Sequence, residues 1–251
     1  MNIFITSPLE QFEIHSIIGL NLKWLDLSFT NSALSMTMAV ISCYLFADFS
    51  LRNKKLIPNR SQSIMEFIYE FIYHIIQEQI GQKGYKYFPF IFTLFLFITC
   101  SNLMGMIPYN FTATSHIVIT FGLSFSIFIG VTIIGFLNHG LHFFHILVPS
   151  GVPFFLLFLI VPIEFVSYLT RALSLGIRLA ANMFAGHTLL KIISTFAYQM
   201  LIAGGLLSIA AFAPIVLLFA LTGLEIVIAL LQAYVFTVLT CSYLNDSINL
   251  H

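Results

Sequence analysis

The sequence predicts an all-α, polytopic integral membrane protein, and three observations carry that prediction. Only 8% of its residues are charged, against about a quarter in soluble domains. Mean hydropathy is +0.98 over the 251 residues. The apolar runs are long and continuous, unlike the roughly ten-residue alternations of a membrane barrel. Only helices and closed barrels satisfy every backbone polar group in lipid, so helices remain. A net charge of zero with no basic patch excludes nucleic acid as a partner and leaves the lipid bilayer. Cys43, Cys100 and Cys241 are far apart in sequence, which argues against a disulfide or a metal site. Met1 to Leu9 lack the basic start and apolar block of a signal peptide. The 28 phenylalanines hint at an AT-rich organellar genome.

The elements follow in order along what reads as one membrane domain, residues 1–251. A first span is expected at about 30–49, closed by Asp48 and the basic stretch from Arg52 to Arg60. The next stretch, 61–80, is of a different kind, with Ser63 and Glu66 spaced as a capping box. Its apolar residues Ile64, Phe67, Ile68, Phe71, Ile72, Ile75 and Ile76 recur at intervals of three and four. Glu66, Glu70, Gln77 and Glu78 take the other side, as in an amphipathic helix lying in the membrane interface. Spans at about 87–106, stopped by Pro108, and 115–137, ended by Asn138 and Gly140, come next. Two long tracts, 153–199 and 206–244, complete the chain, each about twice the ~20 residues that cross a bilayer perpendicularly. Each is either broken into two spans or steeply inclined. Arg52, Lys54, Lys55, Arg60, Lys83 and Lys86 all fall on the side of the amphipathic helix, and the loop 107–115 carries no Lys or Arg. The amphipathic helix therefore lies on the matrix or cytoplasmic side, with the N-terminus across the membrane.

From Val152 to Leu244 the only formally charged residues are Glu164, Arg171, Arg178, Lys191 and Glu225. Arginine keeps its proton in lipid. Its insertion costs about 3 kcal/mol on translocon scales, so Arg178 must face protein, water or a counter-ion. Glu164, Arg171 and Arg178 are spaced by seven and seven. On a helix that keeps them within about 40° of one stripe over roughly 21 Å. Asn182 shares the face of Arg178, and His187 points half a turn away. Glu225 and Gln232, seven apart, lie on the second tract.

If the tracts fold back on each other, residues at equal depth have position numbers of constant sum. Arg178 with Gln232 gives 410 and His187 with Glu225 gives 412, both implying a turn near Gly204-Gly205. Buried carboxylates and histidines exchange protons at physiological pH, so His187 with Glu225, and Glu164 beyond the arginine, read as two proton sites at different depths. Between them stands a fixed charge that does not relay protons. Blander readings stand beside this one. Arg178 could pair with Glu164 or a lipid phosphate, and His187 could be a packing histidine. Arg171 and Lys191 could snorkel or pair with carboxylates, and Asn182 could be a helix–helix hydrogen bond. Ala180, Ala181, Ala185 and Gly186 suggest a close approach by another helix. The run His139, His142, His145 reads as a solvated loop before a metal site, and the sequons at Asn110 and Asn245 read as accidental.

At these residues the chain resembles subunit a of the F-type ATP synthases, above all the mitochondrial form. The resemblance rests on Leu173–Leu190 with its arginine, asparagine and Ala-Gly-His ending, and on Leu224–Phe236. Asn102-Leu-Met-Gly-Met-Ile-Pro-Tyr109 and Thr6–Ile14 extend it over nearly the whole chain. It implies a proton-translocating stator subunit of the membrane (Fo) sector, with no catalytic site of its own and no cofactor beyond the transported protons. Arg178 would face the carboxylate of the c-subunit ring. Glu164 would belong to the matrix-side half-channel, His187 and Glu225 to the half-channel of the intermembrane space, and Asn182 and Gln232 would support the arginine. Bacterial members commonly carry the acid and the histidine swapped, so the order here implies the mitochondrial inner membrane, with the N-terminus in the intermembrane space. Partners would be the c-ring, the peripheral-stalk subunit b and other Fo subunits, and the two last helices would be strongly inclined. A stand-alone transporter would call for inverted repeats, which are not visible, and a haem protein would call for histidines paired across helices. A purely structural stator would not require Arg178.

Overall fold

The computed structural model describes residues 9–19, 21–22, 25–26, 28–52, 55–107, 110–140, 142–143 and 154–249. The described chain is helical apart from an N-terminal segment and short connections. Among the described residues five stretches are long and apolar enough to cross a membrane: Asn31–Leu51, Gln82–Gly105, Ile117–His139, Phe158–Ala203 and Leu207–Ile248.

The N-terminal segment begins with a 3-10 turn, Glu10–Phe12. Two short antiparallel pairs follow, β1 (Ser16–Ile18) with β4 (Phe29–Thr30) and β2 (Asn21–Leu22) with β3 (Leu25–Asp26). The sequence did not announce these strands, which are too short to show alternation. Asn31 anchors the segment: its Nδ2 donates to the Glu13 carbonyl at 3.0 Å, and its Oδ1 accepts from the His15 N–H at 3.3 Å.

Helix α1 (Asn31–Leu51) starts at Thr30, whose hydroxyl accepts from the Ala33 N–H. At about 1.5 Å per residue its 21 residues match the roughly 30 Å hydrocarbon thickness. Only Ser35, Ala39 and Ser50 are buried in it, which leaves most of its apolar surface facing outward. Cys43 on α1 donates to the Leu96 carbonyl at 3.3 Å and lies within reach of Cys100, so the fold brings together two cysteines that the sequence keeps apart. All three cysteines are free thiols.

Helix α2 (Arg60–Gln79) begins one residue before the expected start, and its cap is Asn59, whose side chain accepts from the Arg60 N–H at 2.9 Å. The capping box expected at Ser63 and Glu66 does not form. Ser63 N–H already bonds the Asn59 carbonyl within the first turn, and Glu66 accepts from Gln62 at 2.8 Å. Asparagine caps as well as serine does, and starting there adds further turn bonds. The buried face of α2 is Met65, Ile72, Ile75 and Ile76, while Ile64 and Phe67 of the expected stripe are exposed.

After a 3-10 stretch, Gln82–Tyr87, come α3 (Phe88–Gly105), a second short turn Ala113–Ser115, and α4 (Ile117–His139). Helix α5 (Phe154–Ala203) is continuous for 50 residues, about 75 Å of axis. It stops at Gly204 and Gly205, with φ of +68° and +63°, a region open to glycine and costly for other residues. The second tract is not one helix: α6 (Leu206–Ala210) is separated by a turn at the buried Ala211 from α7 (Phe212–Ile248). The core lies where α2, α3, α4, α5 and α7 meet, around Ile72, Ile76, Ile91, Leu179, Phe236 and Leu244. Ala180, Ala229 and Ala233 are fully buried there, which lets backbones approach where lipid supplies no hydrophobic drive between helices. Inside this contact Asn102 donates to the Ala229 carbonyl at 3.0 Å and ties α3 to α7.

Candidate functional site

Three groups of polar side chains follow one another along α5. The first lies towards its C-terminal end, where His187 Nδ1 stands 3.6 Å from Glu225 Oε1 of α7. Both are enclosed, with side chains 15% and 6% exposed. Neither carboxylate oxygen of Glu225 has a hydrogen-bond partner among the described residues. An ionised carboxylate in that setting costs several kcal/mol unless its neighbour carries the opposite charge. Glu225 therefore needs either its proton or a protonated His187. The other imidazole nitrogen, His187 Nε2, is 3.0 Å from Thr112 Oγ1, which also donates to the Gly105 carbonyl at 3.3 Å.

Local structure explains the closeness of the pair. Gly186 precedes His187, and a Cβ there would stand 2.5 Å from Glu225 Oε1. Only glycine leaves room for the carboxylate.

Arg178 forms the middle group and stands halfway along the 50 residues of α5. It is exposed, and among the described residues it has no ion-pair partner. Its neighbours one and two turns away on the same face, Ser174, Ala181 and Ala185, are exposed as well. The arginine thus rises from a stripe of small residues spaced at three and four, which is the surface another helix approaches closely. Of the four small residues the sequence pointed to, Ala180 and Gly186 face α5's own neighbours in the chain, while Ala181 and Ala185 face outward.

The third group lies one further step towards the N-terminus of α5. Arg171 reaches Glu164 at 3.7 Å and Asp246 of α7 at 3.4 Å, and its carbonyl accepts from the Tyr243 hydroxyl at 3.2 Å. Glu164 is therefore taken by Arg171, not by Arg178. Asp246 is one residue that sequence reasoning missed. It lies 21 positions after Glu225, on the heptad stripe that also holds Gln232, and that spacing was the available signal.

The cross-helix pairs fix the register. Position numbers sum to 412 for His187–Glu225, 414 for Arg171–Tyr243 and 417 for Arg171–Asp246. The 410 of Arg178 with Gln232 falls just below that range, so Gln232 lies nearer the Glu225 end than Arg178 does. Among the described residues neither Gln232 nor Asn182 makes a side-chain hydrogen bond to Arg178.

The outer groups belong to opposite ends of the bundle. His187 is linked through Thr112 to the connection before α4, and Phe12 of the N-terminal segment packs on Phe184 with ring centroids 4.8 Å apart. At the other end Lys83, in the stretch after α2, donates to Asn249 at 3.2 Å, and His139 contacts the Ile248 carbonyl at 3.1 Å. Of the histidine run, His145 lies outside the described residues, and no three metal-ligating side chains cluster among those described.

Comparison with known proteins covers nearly the whole chain. Residues 32–245 match the family described as ATP synthase A chain. The chain is 54% identical over 249 residues to ATP synthase subunit a of Marchantia polymorpha, covering 98% of this chain and 99% of that protein. It is 53% identical over 247 residues to ATP synthase subunit a of Chondrus crispus, with 98% of each covered. ATP synthase subunit a of Rhodospirillum rubrum is 46% identical over 245 residues, with 98% and 99% covered. With this extent of identity and five membrane-grade helices among the described residues, the chain belongs to the ATP synthase A chain family and is a multi-pass, non-catalytic membrane subunit of that complex.

Proposed function

We propose that this chain supplies two offset proton paths and an arginine barrier between them, which together couple proton flow to rotation of a c-subunit ring. The observation that carries the reading is the order of the three groups along α5. An enclosed acid–histidine pair lies at one end, a carboxylate cluster at the other, and an exposed arginine without an ion-pair partner among the described residues lies between them.

The chemistry follows from the geometry. Thr112 has one proton, which it donates either to Gly105 or to His187 Nε2. In the first state Nε2–H donates to Thr112, and Nδ1 offers a lone pair to a protonated Glu225. In the second, Nδ1–H points at the Glu225 carboxylate. The first state holds one proton more than the second. Uptake of a proton at Nε2 gives an imidazolium beside the Glu225 carboxylate, and transfer of the Nδ1 proton to Glu225 then completes the delivery without moving a backbone atom. The pair reads as the path from the intermembrane space.

Arg178 acts on the partner. A carboxylate of the ring brought to about 4 Å gains on the order of 4 kcal/mol at an effective dielectric near 20. That favours its ionised form, so its proton must leave by way of Glu164 and Asp246, the path on the matrix side. Reprotonated from the Glu225 side, the acid turns into lipid as a neutral group. The drive is about 2.3 kcal/mol per charge per 100 mV. The small residues around Arg178 let the ring helix come near enough, and Asn182 and Gln232 furnish polar surroundings for the guanidinium. Because α5 is more than twice the membrane thickness, it reads as inclined along the ring surface. The subunit b stalk and other Fo subunits would hold it there, in the mitochondrial inner membrane with the N-terminus in the intermembrane space.

The reading is tested in vesicles holding the assembled complex, by proton conduction under an imposed potential. Glu225→Gln keeps the shape of the side chain and removes its charge, and conduction should stop. Wild-type conduction in that variant would refute the path.

A further inference from the structure

His116 is a histidine that the proton path described above does not use. It precedes α4, its ring stacks on Phe111 with centroids 5.0 Å apart and planes at 18°, and Phe12 meets it edge-on at 6.4 Å. The Nε2 atom is enclosed and has no hydrogen-bond partner among the described residues. Such atoms are rarely left unpaired in folded proteins unless they serve a purpose beyond packing.

Its place in the chain joins it to the acid–histidine pair. The turn that runs from Thr112 to His116 is tied together: Ser115 donates to the Thr112 carbonyl at 2.7 Å, and His116 N–H donates to the Ala113 carbonyl at 3.2 Å. Thr112 at the other end of this turn touches His187. Phe12 covers both ends, since the same ring packs on His116 and on Phe184, three residues before His187. Asn31 holds the segment carrying Phe12 through its bonds to Glu13 and His15. The titratable or charged groups on the surrounding elements include Glu10, Glu13, His15 and Asp26 of the N-terminal segment, Arg178, His187 and Lys191 of α5, and Glu225 of α7. Helix α3 has no charged residue, and α1 has only Asp48 at its far end.

We infer that His116, roofed by Phe12, is the relay through which protons from the bulk reach Thr112 and His187. The ring takes one proton from bulk water, becomes imidazolium, and passes one proton inward, returning to neutral. Burial holds His116 below the ordinary histidine range, so at neutral pH the ring is a free acceptor that releases its proton readily. Phe12 limits how much water reaches it. The inference rests on the reading of His187 and Glu225 as a proton path and names the inlet of that path.

The test is proton conduction by the assembled complex in vesicles, measured against pH on the side of the N-terminal segment, with subunit content checked for each variant. His116→Phe keeps the aromatic stack, and His116→Gln serves if the first variant fails to assemble. Either should slow conduction about tenfold, less than the hundredfold or more of a positioned acid or base that water cannot bypass. Either should also flatten the pH profile. Phe12→Ala should move the profile midpoint upward, towards the ordinary histidine value, and this shift should vanish in Phe12→Ala with His116→Gln. A histidine that only packs would leave the profile of assembled enzyme unmoved, and that outcome overturns the inference while Glu225→Gln still blocks. If Glu225→Gln conducts normally, the underlying path fails and the relay fails with it.

Discussion

Gly186 of α5 and Glu225 of α7 approach so closely that a Cβ on the glycine would stand 2.5 Å from the carboxylate oxygen. The obstacle is the far end of a flexible side chain, so an alanine there is accommodated by moving the carboxylate and not the helices. Gly186→Ala should leave assembly near normal and displace Glu225 from His187. A misplacement of about 1 Å costs up to a hundredfold in positioned chemistry, so proton conduction should fall by tenfold or more. Conduction per assembled complex measures this, and an unchanged rate would show that the spacing is incidental.

The 3.6 Å contact of His187 with Glu225 should behave as a unit. Exchanging the two, His187→Glu with Glu225→His, keeps one acid and one imidazole at the same depth. The double variant should conduct better than either single change, each of which leaves a like pair. Coupling between contacting residues typically reaches about 0.5–3 kcal/mol. A double-mutant cycle on conduction rates that closes additively would separate the two residues.

Arg171 holds Glu164 and Asp246, with the three side chains 44%, 34% and 39% exposed. Pairs this open contribute at most about 1 kcal/mol, so their loss should be seen in function before stability. Asp246→Asn should assemble normally and slow proton release towards the α2 side, read as an asymmetric loss when conduction is driven in the two directions. Arg171→Ala should add a modest drop in the thermal midpoint of the complex, because it releases α7 from α5. Wild-type rates in Asp246→Asn would remove that residue from the path.

Much of this arrangement was legible before any coordinates. Lipid forces helices on apolar runs, and the constant-sum argument places His187 against Glu225 and the turn at Gly204-Gly205 because two antiparallel helices advance at one rate. That argument sets Cys241 opposite Arg171, and Asp246 lies five positions further on, hidden inside Asn245-Asp-Ser, read only as a sequon. Thr112 hid in the same way, as the last residue of Asn110-Phe-Thr. Its contact with His187 spans 75 positions through a connection that shows no periodicity. The cap at Asn59 was passed over for Ser63 because local spacing does not say which of two good caps adds more turn bonds. The N-terminal strands and the role of Phe12 depend on tertiary contacts alone.

The central claim is that Arg178 is a barrier which forces protons to travel by way of the rotor. The most direct measurement is ATP synthesis driven by an imposed proton gradient in vesicles holding the Arg178→Ala complex, with assembly verified and passive proton leak recorded alongside. The account predicts synthesis lost, with the complex assembled and protons leaking between the two paths. Proton-driven synthesis retained in that variant would contradict it.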